Sequence, residues 1–149
     1  MSLVWRVTRR LAVGVLVAIT ASAARAQDAE FRVIVHSTNP VGALARDEVS
    51  KMFLKKIAAW RTGQSVVPVD QSEDADVRKR FSTRVLGRDV GAVKGYWQQA
   101  IFTGRSFPPV EKGSDAEVIA FVGANPNAIG YVSASSSLPT SVKILKVDP

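Results

Sequence analysis

The sequence predicts an α/β domain in which helices pack on a small mixed sheet. Short β-branched runs alternate with longer stretches in which apolar residues recur at helical spacing. The order of elements along the chain reads β-α-β-α-α-α-β-β, which favours a layered α/β arrangement. The chain contains no cysteine, so disulfides, thiolate chemistry and cysteine-based metal sites are excluded.

The first 26 residues have the pattern of a cleaved export signal. An arginine-rich start and the apolar run 11–20 precede Ala24-Arg25-Ala26, which matches an A-x-A cleavage site. The apolar run is about half of the ~20 residues that a membrane-spanning helix needs. We therefore predict a signal peptide at 1–26 and a single α/β domain at 27–149. The expected location is periplasmic, with no integral membrane segment after cleavage.

The charge of the chain is small once the export signal is set aside. The whole chain has 20 basic and 13 acidic residues and a formal net charge of +7. The first 26 residues hold four arginines and no acid, which leaves a net charge of +3. An excess this small argues against a nucleic-acid partner, whose binding requires a strongly basic surface.

The first half of the predicted domain reads as strand, helix and strand. Phe31–His36 is a β-branched run, and Val66–Asp70 is a second one. Between them, within 46–57, apolar residues recur at helical spacing: Val49, Met52, Phe53 and Ile57.

Two helices are predicted next, at about 74–86 and 89–101, with Gly87 as the C-terminal stop of the first. The apolar stripe of the first contains Val77, Phe81 and Val85, and Arg78 lies largely outside it. The apolar stripe of the second contains Val90, Val93, Trp97, Ala100 and Ile101.

A capping box and two strands complete the predicted domain. Ser114 and Glu117 have the S-x-x-E spacing and open a helix that runs to about Gly123. The segment 125–132 reads as a turn into a strand, and 141–147 reads as the final strand.

The start of the helix at 74–86 follows a buried strand, a common place for an oxyanion. In this chain Glu73, Asp74 and Asp76 fill that position. Asp74 and Asp76 each precede an arginine by four residues, Arg78 and Arg80, the favourable order for helix ion pairs.

A cap is also predicted at this helix start, because Ser72 or Asp74 could serve as the N-cap. The sequence therefore predicts that the chain's own carboxylates neutralise the helix start.

Four segments in order resemble phosphate-binding-protein-like domains, the solute-binding components of phosphate ABC transporters. They are "LARDEVSKMFLKKIAAW", "FSTRVLG", "YWQQAIFTGRSFPP" and "NPNAIGYV". The resemblance covers roughly 31–147 and implies one lobe of a type II periplasmic-binding-protein fold. Such proteins close two lobes over a small solute, and this chain has the length of a single lobe.

The resemblance also implies what the lobe would bind. It points to phosphate or another oxyanion, with a membrane transporter or an envelope protein as partner, and implies no cofactor. Phosphate binders carry an Arg and then a Ser-Gly-Thr run after the second strand. The corresponding positions here are Gln71, Ala75, Asp76 and Val77.

Five residues are candidate ligand-binding residues: Ser37, Thr38, Gln71, Ser72 and Arg78. The first two follow a strand beside His36, at the kind of strand end where open α/β sheets bind ligands. An alternative is that they are turn residues bonded to local backbone. No metal site is expected, because the lone histidine has no cysteine or acidic partner pattern.

Two functions follow from these patterns. The first is a periplasmic solute-binding-like domain that captures phosphate or another oxyanion. The second is an envelope accessory or protein-interaction module that has lost small-ligand binding, for which Phe107 is an aromatic residue that could contact a partner or cover the core edge. No serine-nucleophile elbow, P-loop or HExxH motif is present, so we expect no enzyme.

Overall fold

The computed structural model describes residues 30–149, which form one mixed sheet with helices on both faces. The predicted signal peptide at 1–26 lies outside the described residues. The elements are β1 (Phe31–His36), β2 (Ala43–Ala45), α1 (Arg46–Phe53), β3 (Val67–Gln71), α2 (Asp76–Phe81), a π-helical turn (Ser82–Leu86), α3 (Val90–Phe102), β4 (Val110–Lys112), α4 (Asp115–Ala124), β5 (Ala128–Ser133) and β6 (Val142–Asp148). The predicted α/β class and mixed sheet are confirmed.

Strand direction determines which loops share an end of the sheet. The order is β2-β6-β1-β5-β3-β4, with β1 antiparallel to β5 and β3 parallel to β5. The carboxyl end of β1 therefore lies at the opposite end of the sheet from the carboxyl end of β3. The two three-residue strands, β2 and β4, were not predicted, since segments so short are defined only by the strands they pair with.

The alternation of side chains along β1 divides the core into two layers. Val33 and Val35 face the layer that contains α1, α2 and α3, whereas Ile34 faces α4 on the other side. Aromatic rings pack against one another in the first layer. The rings of Phe81 and Tyr131 stack with centroids 3.9 Å apart and an interplanar angle of 6°.

The predicted helix at 74–86 begins later and changes its geometry part-way. Its first six residues are α-helical, and the next five form the π-helical turn, which ends at Gly87 with φ 65°. Gly87 as the stop is confirmed. The placement of Arg78 outside the buried stripe was wrong, since this residue is 5% exposed.

Two further predictions, one about a helix end and one about a helix face, differ from the structure. The helix expected over 46–57 ends at Phe53, because Lys55 turns into the left-handed region with φ 54°. Ile101, expected on the buried stripe of α3, is 48% exposed at the end of the helix. The cap of α4 is confirmed, as Ser114 Oγ accepts from the backbone N–H of Glu117.

None of the helices in residues 30–149 combines the length and the apolar character that crossing a membrane requires.

A matched pair of glycine substitutions tests the packing of α4 on the sheet. A Cβ at Gly130 would lie 2.7 Å from Val118 Cγ1 and 3.3 Å from Val122 Cγ2. Overpacking of this kind predicts that Gly130→Ala destabilises the protein by about 1–3 kcal/mol. In the control Gly95→Ala, at an exposed position of α3, the added Cβ has no atom within 4 Å. It is expected to stabilise the protein by about 0.5–1 kcal/mol. Urea unfolding of both variants measures the difference, and equal effects would contradict the packing described.

Candidate functional site

A buried ion pair lies at the carboxyl end of β3. Arg78 Nη1 is 2.5 Å from Asp70 Oδ1, and both side chains are 6% exposed. The same nitrogen donates to the backbone carbonyl of Gln71 at 2.9 Å. Arg78 thereby joins the first turn of α2 to the strand that precedes it, and its positive charge is paired with a carboxylate inside the lobe.

Tyr131 supplies a second donor to the same carboxylate. Its hydroxyl donates to Asp70 Oδ1 and accepts from the backbone N–H of Gln71 at 3.2 Å. The stacked ring of Phe81 holds the phenol in this position. Burial raises the pKa of the Tyr131 hydroxyl, so it stays protonated and able to donate.

The pKa of Asp70 results from opposing effects. Burial raises it, while the charge of Arg78 and the donors of Tyr131 and Gln71 lower it, and burial prevails. The carboxylate depends on all three partners for its charged state. Loss of any one of them would leave it poorly compensated.

A second acid continues this network towards β5. Gln71 Nε2 donates to Asp115 Oδ1 at 2.8 Å and to the backbone carbonyl of Tyr131 at 3.0 Å. Asp115 also accepts from the backbone N–H of Ser133 at 3.2 Å and from Ser136 Oγ at 2.8 Å. Burial acts to raise the pKa of Asp115, but these hydrogen bonds together outweigh it and hold the pKa below its usual range.

Two buried side-chain atoms in the described chain have no hydrogen-bond partner, Arg78 Nε and Ser82 Oγ. They are four residues apart, one turn along the same side of the α2 segment. Buried polar atoms are nearly always paired, so these two are exceptions within the folded chain.

The start of α2 differs from the predicted arrangement. Ala75 occupies the N-cap position without a side-chain cap, so capping by Ser72 or Asp74 was wrong. The predicted ion pairs were wrong too, because Arg78 turns inward to Asp70 and Arg80 lies 3.5 Å from Glu30.

The acids at this helix start are exposed. Glu73, Asp74 and Asp76 all project from the surface, and Lys94 and Lys79 approach Glu73 and Asp76 at 3.1 and 3.6 Å. The helix start is therefore lined by carboxylates with nearby lysines.

The structure separates the five candidate ligand-binding residues into two groups. Gln71, Ser72 and Arg78 meet at the carboxyl end of β3. Ser37 and Thr38 are exposed at the opposite end of the sheet, where Thr38 Oγ1 lies 2.8 Å from His36 Nδ1. The two groups cannot contact one small ligand, and a binding role for each remains a prediction.

Sequence reasoning missed the central members of the network. Asp70, Tyr131 and Asp115 come from three separate elements that only the folded sheet brings together. One signal was present, since Asp70 ends an otherwise apolar strand and Tyr131 is the sole hydroxyl within the apolar run "AIGYV". A buried acid and a buried phenol need partners.

A small pocket opens beside the ion pair, with a volume of about 200 Å³. Its lining includes the charged residues Asp70 and Arg78 and the apolar residues Trp97 and Pro109. A larger surface groove of about 430 Å³ lies along the ends of β1 and β6 and contains none of the network residues. The described residues contain no cluster of three or more acids or histidines that could hold a metal ion.

Solved structures share this fold at low sequence identity. A protein from Clostridium perfringens, described as a phosphate ABC transporter substrate-binding protein with bound phosphate, is 23% identical with a TM-score of 0.63. An ABC-type phosphate transport receptor from Vibrio cholerae is 19% identical with a TM-score of 0.61. PstS from Borrelia burgdorferi is 14% identical with a TM-score of 0.61. The chain has the fold of one part of these proteins.

The match covers most of this chain but less than half of each neighbour. It spans 80%, 79% and 80% of this chain and 45%, 46% and 47% of the three proteins in turn. The expected resemblance to phosphate-transporter binding proteins, in a single-lobe form, is confirmed at the level of fold. No family model matches the chain, and no curated protein matches it. The solved neighbours are named as transport and binding proteins.

Asp70→Asn tests the buried ion pair. The substitution leaves the Arg78 charge buried without its counterion, so we expect a loss of about 3–5 kcal/mol in the free energy of unfolding. The control Asp74→Asn removes the partner predicted for Arg78 from sequence spacing, at an exposed position, and should change stability by less than about 0.5 kcal/mol. Chemical denaturation compares the two. A larger effect of Asp74→Asn would refute the inward pair.

Asp115→Asn tests the link between β3 and β5 through its pH dependence. The folded-state pKa of Asp115 is lowered, so its carboxylate contributes stability above the unfolded value of about 3.9. That contribution is lost as the pH falls through the folded value. The variant should be less stable than wild type by about 1 kcal/mol at pH 7, with the gap closing below about pH 4. Thermal melts between pH 3 and pH 7 measure this, and a constant gap would argue against the assigned charge state.

Proposed function

We propose that this chain is a periplasmic solute-binding-like lobe, exported by a signal peptide at 1–26, that forms one wall of a site for phosphate or another oxyanion. One observation carries the proposal. The chain matches the fold of a little under half the length of solved proteins named for phosphate transport, one of them with bound phosphate. The domain at 27–149 would work with a membrane transporter or another envelope protein.

The charges at the β3 end support a site that is completed by a second wall. Arg78 has its charge matched by Asp70, and carboxylates line the start of α2. A phosphate dianion at this end would meet negative charge unless further donors faced it. The half-buried Ser72 can add a hydroxyl, and the remaining donors would come from a second copy or a partner protein.

The second candidate function is an envelope accessory or interaction module without a small ligand. It is favoured by the buried Asp70–Arg78 pair, which leaves that arginine's charge already compensated. It requires no oxyanion binding by this lobe in any assembly.

Thermal melts with phosphate, sulfate, arsenate and chloride, combined with light scattering, test the proposal. A ligand at 100 times its Kd adds about 2.7 kcal/mol of stability, a shift of several degrees for a domain of this size. We expect phosphate to raise the Tm more as protein concentration rises, because a second copy completes the site.

Two serine variants provide a matched control for these melts. Ser72→Ala should reduce the phosphate-dependent shift, whereas Ser65→Ala, at an exposed position before the start of β3, should not. No shift with any oxyanion, for the protein alone at any concentration or mixed with a candidate transporter, would reject the solute-binding function and leave the accessory module.

A further inference from the structure

Four of the five large apolar side chains that the described chain exposes fall on one stretch, from the end of α3 to the start of β4. Ile101 and Phe102 end the helix, Phe107 lies in the loop and Val110 begins the strand, with exposed fractions of 48%, 89%, 67% and 44%. These four residues are here called the Phe102 patch. Single exposed apolar residues are ordinary on a protein surface, but a cluster of this kind typically marks a contact with a partner.

The fold brings the two halves of the Phe102 patch together. The backbone N–H of Arg105 donates to the carbonyl of Ala100 at 2.9 Å, which turns the chain back at the end of α3. Ile101 and Pro108 line the same small pocket beside the ion pair, so the helix end and the loop before β4 are neighbours. The patch is therefore one surface, and it adjoins the carboxyl end of β3.

The charges on this surface are self-complementary. Arg105 lies between Phe102 and Phe107 in sequence, and Glu111 follows Val110 on β4. Both charged residues are exposed, and neither forms an ion pair within the described chain. A two-fold contact uses the same surface on both copies, so it can bring each arginine to the other copy's glutamate. Opposite charges placed in this way steer the encounter of two copies and fix their register.

Two other occupants fit this surface less well. An anionic lipid surface would be repelled by the exposed Glu111 and by the acids at the start of α2. An extended peptide that adds to the edge of the sheet has only the three residues of β4 to pair with, and Pro109, directly before the strand, has no N–H to donate. A second copy suits both the apolar side chains and the charges.

We propose that two copies of this chain associate through the Phe102 patch. Phe102 and Phe107 of one copy pack on the same patch of the other, and Arg105 pairs with Glu111 of the partner subunit. The contact places the second copy beside the carboxyl end of β3, where it supplies the second wall of the oxyanion site. This consequence rests on the proposed function, whereas the association itself requires no oxyanion.

Sedimentation equilibrium of the purified exported protein, without any oxyanion, tests the association. We expect a monomer–dimer equilibrium whose Kd rises at least about tenfold in Phe102→Ala, because a few aromatic anchors carry most of the binding energy of an interface. The matched control Ile144→Ala truncates a side chain on β6 that is 51% exposed and lies outside the patch, and it should leave the Kd unchanged. A protein that stays monomeric up to about 1 mM, or an equal effect of the two variants, would overturn the proposal.

Exchanging the two charges tests the pairing between copies. Arg105→Glu gives one variant two glutamates at these positions, and Glu111→Arg gives the other variant two arginines. Each variant alone should dimerise more weakly by on the order of tenfold, since both pairs of the two-fold contact then join like charges. An equimolar mixture should recover the wild-type Kd, because every pair across the contact joins opposite charges. A mixture that associates no more tightly than its components would contradict the proposed dimer.

Separate measurements distinguish the dimer from the proposed function. Phosphate-dependent melting without any dimer would overturn the dimer and leave the second wall to a partner protein. A dimer with no oxyanion response, alone or with a transporter, would uphold the contact and reject the solute-binding role. Binding of the monomer to phosphatidylglycerol vesicles, lost in Phe102→Ala, would assign the patch to a lipid surface and overturn the dimer.

Discussion

The buried ion pair between Asp70 and Arg78 is the interaction on which the structure at the carboxyl end of β3 depends. A carboxylate and a guanidinium at 6% exposure are tolerable only when both are closely matched. The Tyr131 hydroxyl donates to the carboxylate, and the backbone carbonyl of Gln71 accepts from the guanidinium. These hydrogen bonds position the end of β3 against β5 and the α2 segment. The conformation of the strand end follows from the need to compensate one buried charge.

The direction of the strands sets a second constraint. Because β1 runs antiparallel to β5 and β3 runs parallel to it, the polar turns after β1 and β3 lie at opposite ends of the sheet. Side chains that look equivalent in sequence, each following a strand, are thereby separated by the length of the sheet. The buried polar network lies at the β3 end, where hydrogen bonds to Gln71 connect Asp70, Arg78 and Asp115.

Two features bear on the function of this lobe: its fold and the charge at the end of β3. The fold is that of proteins named for phosphate transport, yet the chain spans less than half of each. The end of β3 has its positive charge compensated from within, and the start of α2 presents acids. This end of the lobe therefore offers little uncompensated positive charge to an anion.

The sequence by itself determined the α/β class, the main strands and helices, the Ser114 cap and the Gly87 stop. These features depend on periodicity and on local backbone chemistry, which a short window of residues contains. Only the tertiary structure decided that Arg78 turns inward, that Asp70 is its partner, and that Ser37 lies far from Ser72. Sequence spacing paired Arg78 with Asp74 because it measures neighbours along a helix. The observed partner lies on an adjacent strand, and burying that charge pair in the folded core overrides a weak surface pairing.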